Sequence, residues 1–444
     1  MRVRPRLPSR SAGWARLVPR PRSGPFSARW WRSPLRGLRL TSPLGLVLLP
    51  GIVLLLGTGL LSYAAYNPDL SPANDMTPDK GWLGFYLFSW PTDPDWLYRL
   101  TQGVHVTLGI TLIPVLLAKL WSVIPKLFAL PPARSLSHAM ERVSLLLLVG
   151  GGLFVFGTGV LNVQLAYVFP GSFYTLHFYG AWVFTAAFVV HVALRLPRAV
   201  RAVRARRTVR AGSAGAEESE RERAEEADAR LRPPHPVEPT LSRRGALGMV
   251  GGGSLLLLAT TVGQNFDGLR RTALFAPHGG SDPGAGPNGF QINKTAAHVG
   301  VTPERTGPEW RLALHGRGRE LRLSRAMLLE LPQHSVALPI ACVEGWSTSD
   351  QWWRGVRLLD LAALVGHRRQ PPDLFVVSVQ PSGSFRAAAL RDNQVRDPRS
   401  LLALYVNGEP LSLDHGYPAR IIVPAAPGVL NTKWVGRMTF GALS

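Results

Sequence analysis

Cys342 is the only cysteine among 444 residues. It lies in "PIACVEGWSTSDQWWRGVRLLDLAAL" (339–364), beside tryptophan, glycine and acid. One thiol excludes an intramolecular disulfide and any Cys-only zinc or iron–sulfur site. Redox chemistry in this chain must therefore come from a bound cofactor. Taken alone, a lone buried cysteine is equally a small hydrophobe. Four of the eleven histidines, His105, His138, His177 and His191, stand at or near the ends of long apolar runs. Polar side chains are costly inside a bilayer and usually functional there. His177 and His191 share "HFYGAWVFTAAFVVH". As a helix, that stretch separates them by about 21 Å and leaves them within about 40° of one face. The spacing leaves room for one haem near each membrane surface.

The elements that must position these groups are five apolar stretches, near 43–65, 101–125, 141–163, 174–196 and 245–263. Each is long enough to cross a bilayer, which takes about 20 residues. Pro50 and Pro114 fall inside two of them, which neighbouring helices can accommodate. Residues 1–40 carry many arginines and no acid, and residues 195–244 are again arginine-rich. With the loop 126–140 (Lys126, Arg134), these flanks read as cytoplasmic by the positive-inside rule. The loop 66–98, with Asp69, Asp75, Asp79, Asp93 and Asp95, then faces outward. Five spans from an inside start put residue 264 onward outside the cell membrane. The net charge of +22 is explained by these flanks, so nucleic acid is not an expected partner.

This topology brings His105 level with His177 near the outer surface and His138 level with His191 near the inner one. Each depth then holds the two imidazoles that a bis-histidine haem b requires. Glycines at 150–152, 157 and 159 either admit a flat macrocycle or pack helices closely. Over residues 41–197 the arrangement resembles the four-helix di-haem cytochromes b of membrane oxidoreductases. No internal repeat is visible. Residues 198–243 mix arginine with "GAEESERERAEEADAR" and read as a charged cytoplasmic linker. "LSRRGALGMVGGGSLLLLATTVG" follows. It resembles a twin-arginine export signal at Ser242-Arg243-Arg244 and is equally a positively flanked fifth span over 244–263.

From 264 the character changes. A Gly/Pro-rich entry leads to strand-like runs such as "EWRLALHG", "LFVVSV", "LLALYVNG", "ARIIVPA" and "WVGRMTF". Short helices are expected at "LSRAMLLEL" and around 355–366. Residues 264–444 thus form a mostly-β α+β domain, large enough for its own core.

Within it, "ACVEGWS" resembles the molybdenum-ligand segment of the sulfite oxidase family. "LYVNGEPLSLDHGYPARIIVPAAPGVLNTKWVGRMTF" (404–440) is similar to that family's second signature, in the same order. The resemblance implies that Cys342 binds molybdenum, as a soft thiolate suits a metal that changes oxidation state. It implies that His415 and Arg420 hold the pterin, Asn431 and Lys433 its phosphate end, and Asn293 and Lys294 of "FQINKTA" a first pterin loop. Phe385 stands where the family often has tyrosine. Arg354 and Arg386, with Arg391, are candidates for holding an anionic substrate. The cytochrome b5 and C-terminal dimerisation domains of eukaryotic members are not expected from these residues.

The expected architecture is an all-α membrane bundle, a four-helix cytochrome b plus a fifth anchor helix, followed by a mostly-β α+β molybdopterin domain. The expected cofactors are molybdenum-molybdopterin and two haem b groups. Oxygen-atom transfer to or from a small substrate would be coupled across the bilayer to quinone or another membrane carrier. Two alternatives stay open. One is a sulfoxide reductase of the methionine sulfoxide type; the other is a haem-bearing anchor with a non-catalytic binding domain.

Overall fold

The computed structural model describes residues 24–27, 30–31, 33–70, 86–130, 135–164, 172–209, 237–276, 286–368, 370–441 and 443. Most of the basic tail 1–40, Asp75, Asp79, Arg134 and the acidic core of the linker lie outside these. Five helices are long and apolar enough to cross a membrane: α1 (Leu38–Ala65), α2 (Leu97–Val123), α3 (Leu136–Val163), α4 (Phe173–Val209) and α5 (Arg243–Ala259). They fall where hydropathy alone sets them. α4 runs past residue 197, so the arginine-rich start of the linker continues the fourth span as helix. Ser242 caps α5, its Oγ accepting from Gly245 N at 3.0 Å, which satisfies one of the free amides at a helix start.

The chain divides into two compact units. Among the described residues, the first draws on those up to Pro50, on Leu112–Phe154 and on Gly180–Ser254. Here Lys119 Nζ donates to Thr41 O at 2.6 Å and Thr41 Oγ1 donates to Ser122 Oγ at 3.1 Å, tying α1 to α2. A Cβ on Gly151 or Gly152 would touch Phe184 at 3.4 Å, so in this unit these glycines serve close helix packing.

The second unit holds Gly51–Thr111, Val155–Tyr179 and Leu255–Ser444. Its C-terminal part contains strands β1 (Leu312–Gly316), β2 (Arg319–Leu323), β3 (His334–Leu338), β4 (Gln351–Arg357), β5 (Leu374–Ser378), β6 (Ala387–Leu390), β7 (Leu401–Val406), β8 (Glu409–Pro410), β9 (Arg420–Ile422) and β10 (Val435–Phe440). One sheet has the order β2-β1-β10-β5-β6, with β1 and β10 parallel. The other runs β3-β4-β7-β8, and β9 also pairs with β7. Leu314, Val376 and Met438 of the first sheet share one core with Val356, Leu402 and Ile421 of the second. Helices α6 (Arg325–Glu330) and α7 (Leu358–Leu364) close that core with Leu328 and Leu361. A third short helix, α8 (Asp392–Arg396), follows β6.

The five strand runs and two short helices read from sequence are present. The omitted strands include β4, "QWWRGVR", the inner partner of both β3 and β7. Its alternation of buried and exposed residues is masked in sequence by the apolar helix that follows directly.

Candidate active site and imidazole pair

Cys342 sits in a tight turn between β3 and β4. Its amide donates to Trp346 O at 2.8 Å and its carbonyl accepts from Gly345 N at 3.1 Å. Gly345 has φ +93°, a conformation that side chains disfavour. Gly428 N donates to Ala341 O at 2.8 Å, which draws the 424–434 segment alongside. The result is a cleft with about 580 Å³ of empty space, its open mouth included. That size suits a cofactor.

Its walls bring together Asn293, Lys294, Cys342, Phe385, His415, Arg420, Asn431 and Lys433, drawn from stretches up to 140 residues apart. Asn293 Nδ2 points to Cys342 Sγ at 3.9 Å. Lys433 Nζ donates to Lys294 O and Asp414 O at 2.9 and 2.8 Å. Arg420 donates to His415 O and Asn431 O at 3.1 and 3.2 Å. His415 stacks on Phe290 at 3.8 Å, and its Nε2 donates to Gln291 O at 3.2 Å. Asn431 Oδ1 accepts from Val423 N at 2.9 Å, so this side chain also shapes the loop.

The electrostatics of the cleft are those of a site built for an anion. Burial pulls Lys433 well below the usual lysine range, helped by Arg420 and Lys294. Burial brings Arg420 down to about 9. Burial and then the charges of Lys433 and Arg420 hold His415 near 3. Three buried polar atoms on the wall, Gln291 Nε2, Arg420 Nε and Thr432 Oγ1, have no hydrogen-bond partner. Buried polar groups are normally satisfied, and an anionic, oxygen-rich group would satisfy these. Burial, with the charge of Glu344, pushes the Cys342 thiol up; a coordinating metal removes such a proton outright. Glu344 itself is pushed up to about 7 by burial, and its Oε2 accepts from Trp346 Nε1 at 2.6 Å.

Residues 298–442 match the family model of the oxidoreductase molybdopterin binding domain. This region is a molybdopterin-binding domain of the sulfite oxidase family. The domain is that of an oxidoreductase. Rat mitochondrial sulfite oxidase is 33% identical over 146 residues, 28% of this chain and 27% of that protein. The oxidoreductase YuiH of Bacillus subtilis is 31% identical over 133 residues, 30% of this chain and 65% of that protein. The sulfane dehydrogenase SoxCD of Paracoccus pantotrophus aligns over 30% of this chain and 38% of its own, with 25% identity and a TM-score of 0.27. The chain thus spans about a quarter of the length of the mammalian sulfite oxidases it matches. Asn293 and Lys294 precede the matched region, yet the fold carries them into the same cleft as Cys342.

Two other candidates are placed elsewhere. Arg354 is exposed on β4, its guanidinium 4.1 Å from the Tyr405 ring. Arg386 is exposed and donates to Pro381 O at 3.0 Å. Neither lines the cleft: Arg354 takes an outward-facing strand position, and Arg386 lies in the loop before β6. Arg391 pairs with Asp69. Phe385 does line the cleft, with φ +63° and Lys294 Nζ 5.6 Å from its ring.

In the same compact unit, His105 of α2 and His177 of α4 face each other with ring centroids 6.1 Å apart and planes at 86°. Two metal–nitrogen bonds of about 2 Å each, plus the ring radii, give about 6 Å. His105 Nδ1 lies 3.1 Å from Leu55 O and 3.0 Å from Thr58 Oγ1. His177 Nδ1 lies 2.9 Å from Val155 O and 3.4 Å from Thr158 Oγ1. A carbonyl only accepts, so each Nδ1 carries the proton and each Nε2 keeps its lone pair, as metal-binding imidazoles do. A Cβ on Gly59 or Gly159 would stand 3.1 Å from Cε1 of the facing histidine.

Sequence reading missed this support. "LLGTG" (55–59) in α1 and "VFGTG" (155–159) in α3 are the same cradle used twice. The signal was the repeated Gly-Thr-Gly inside two apolar runs, too short to register as a repeat. His138 stands in the first turns of α3, its Nδ1 buried without a hydrogen-bond partner, and His191 stands near the end of the fourth span. Among the described residues no group of three or more His, Cys, Asp or Glu forms a protein-only metal site.

Proposed function

We propose that this chain is a membrane-embedded molybdenum oxidoreductase that transfers an oxygen atom to or from a small substrate and passes electrons through haem b. The observation that carries the proposal is one buried thiol in a cationic cleft with unsatisfied donors, within the same compact unit as an imidazole pair spaced for one iron.

The residues present fit both groups. Cys342 would hold molybdenum, and Asn293 Nδ2 donates toward the sulfur and tempers its charge. Arg420, Lys433 and His415 would hold the pterin and its phosphate, with Gln291 and Thr432 supplying free hydrogen-bonding atoms. Bound there, the cofactor supplies two-electron oxygen-atom exchange. Lys294 and Phe385 wall the cleft beside it, fixing approach and limiting water. The Nε2 atoms of His105 and His177 would ligate one haem, with Leu55 O and Val155 O holding the rings. A second haem between His138 and His191 would complete transfer to quinone or another membrane carrier. On this reading Ser242-Arg243-Arg244 begins an export signal retained as an anchor, and the catalytic domain faces outward.

Metal analysis of the detergent-purified protein tests the proposal. About one molybdenum for two irons is the expected result. Iron without molybdenum, from a host that makes the cofactor, would sink the catalytic reading. Equal amounts would remove the inner haem. Haem reduction by sulfite, against haem oxidation by a sulfoxide, decides the direction.

A further inference from the structure

The turn that carries Cys342 is seated directly on the helix that carries His105. Gln102, one turn before His105 in α2, is buried. Its Nε2 donates to Val343 O at 2.5 Å, and its Oε1 accepts from Ser62 Oγ of α1 at 2.6 Å. Val343 directly follows the thiol. A Cβ on Gly345 would stand 2.6 Å from Cβ of Val106, the neighbour of His105. On the other side, Tyr174, one turn before His177 in α4, stacks on Tyr66 at 4.9 Å. Tyr66 belongs to the buried cluster that includes Ala341, Tyr98 and Val343. Each imidazole therefore has, three residues upstream and so on the same helix side, a side chain leading to the Cys342 turn.

The seating is held around its edge. Trp90 Nε1 donates to Ala425 O at 2.7 Å, Asn67 Nδ2 to Gln394 Oε1 at 2.8 Å, and Arg99 to Asn265 O at 2.6 Å. Arg399 pairs with Asp93 at 2.7 Å and Arg391 with Asp69. These bonds fix the distance between thiol and imidazoles, so the thiol turn does not depend on a mobile tether to approach them.

We propose that Gln102 and the Tyr66–Tyr174 stack are the built-in electron path between the Cys342 turn and the His105–His177 pair, with Gln102 as its positioning residue. The inference rests on the function proposed above. In the oxidative direction, a substrate taking up oxygen from water releases two electrons and two protons. The electrons cross the seam one at a time, each reducing one ferric haem to ferrous, and a quinone-class acceptor takes them onward. The tyrosine rings and the amide act as the medium between donor and acceptor and are not themselves oxidised.

The test uses the full-length protein with Gln102→Leu, which keeps the volume and removes both hydrogen bonds. The wild type must first show a haem Soret band and bound molybdenum; their absence overturns the functional reading and the path with it. With both present, haem reduction by substrate in stopped flow should slow about tenfold, about 1.4 kcal/mol in barrier height. Reduction of the same haem by dithionite should not change, and molybdenum(V) should accumulate in the electron paramagnetic resonance spectrum. Independently of turnover, amide hydrogen exchange across residues 342–346 should rise. Unchanged substrate-driven reduction, or unchanged exchange, overturns the role of Gln102. Should that variant fail to fold, Tyr174→Leu should slow the same step and Tyr174→Phe, which keeps the ring, should recover most of the rate; equal rates in the two overturn the path.

Discussion

The thiol cleft and the imidazole pair solve opposite problems. The cleft gathers side chains from five separate stretches and leaves single buried polar atoms without partners, as Arg420 Nε and Thr432 Oγ1 show. The imidazole pair sits on regular helices, and every Nδ1 is already satisfied by main-chain carbonyls. One site keeps buried polar atoms unsatisfied, while the other is preorganised and offers two lone pairs. A loop-built cleft can follow the irregular outline of a large polar cofactor. A helix-built pair can hold two atoms at a fixed separation with little loss of entropy on binding.

Removing each centre separately gives the sharpest contrast. Cys342→Ser should lower oxygen-atom transfer by more than the roughly 100-fold that loss of an outer-shell partner costs, while the Soret band and iron content stay. His177→Ala should do the reverse, removing the Soret band of the outer haem and leaving molybdenum bound. If either variant lost both cofactors together, the two sites would not be independently built and the comparison would fail.

Stability separates them next. Protein made in a host unable to assemble the molybdenum cofactor should melt lower than the loaded form, since ligand binding stabilises by mass action and Lys433 otherwise stays buried beside the like charge of Arg420. Differential scanning calorimetry of the two preparations measures this. Gly345→Ala forces a side chain into φ +93° against Val106 and should cost about 1–3 kcal/mol, read from denaturant midpoints. The smallest effect is expected at the cradle. Thr58→Val or Thr158→Val leaves the carbonyl acceptors in place, so haem affinity should fall by less than about tenfold in a haem-titration assay. A larger loss would make the threonine, and not the carbonyl, the main anchor.

Much of the contrast was legible beforehand, for different reasons in the two regions. Hydropathy is a local, additive property, so the five long apolar helices and the pairing of His105 with His177 could be read from composition and the 1.5 Å rise. The cleft was legible through ordered motifs, Cys342 and then His415 to Lys433. Arg354 and Arg386 were harder, because nothing local says whether an arginine near a site turns toward it. Arg354 alternates outward on β4, and Arg386 turns back onto Pro381 O.

By itself, then, the sequence determined where the apolar segments lie, that only one thiolate is available, and that His105 can meet His177. Each follows from residue type and short-range geometry. Only the tertiary structure decided that Gly-Thr-Gly in α1 and in α3 cradle the two imidazoles, that Asn293 reaches Cys342, and that Gln102 meets Val343. The last two contacts join residues 49 and 241 positions apart, and a chain sets such distances only when its whole core has packed.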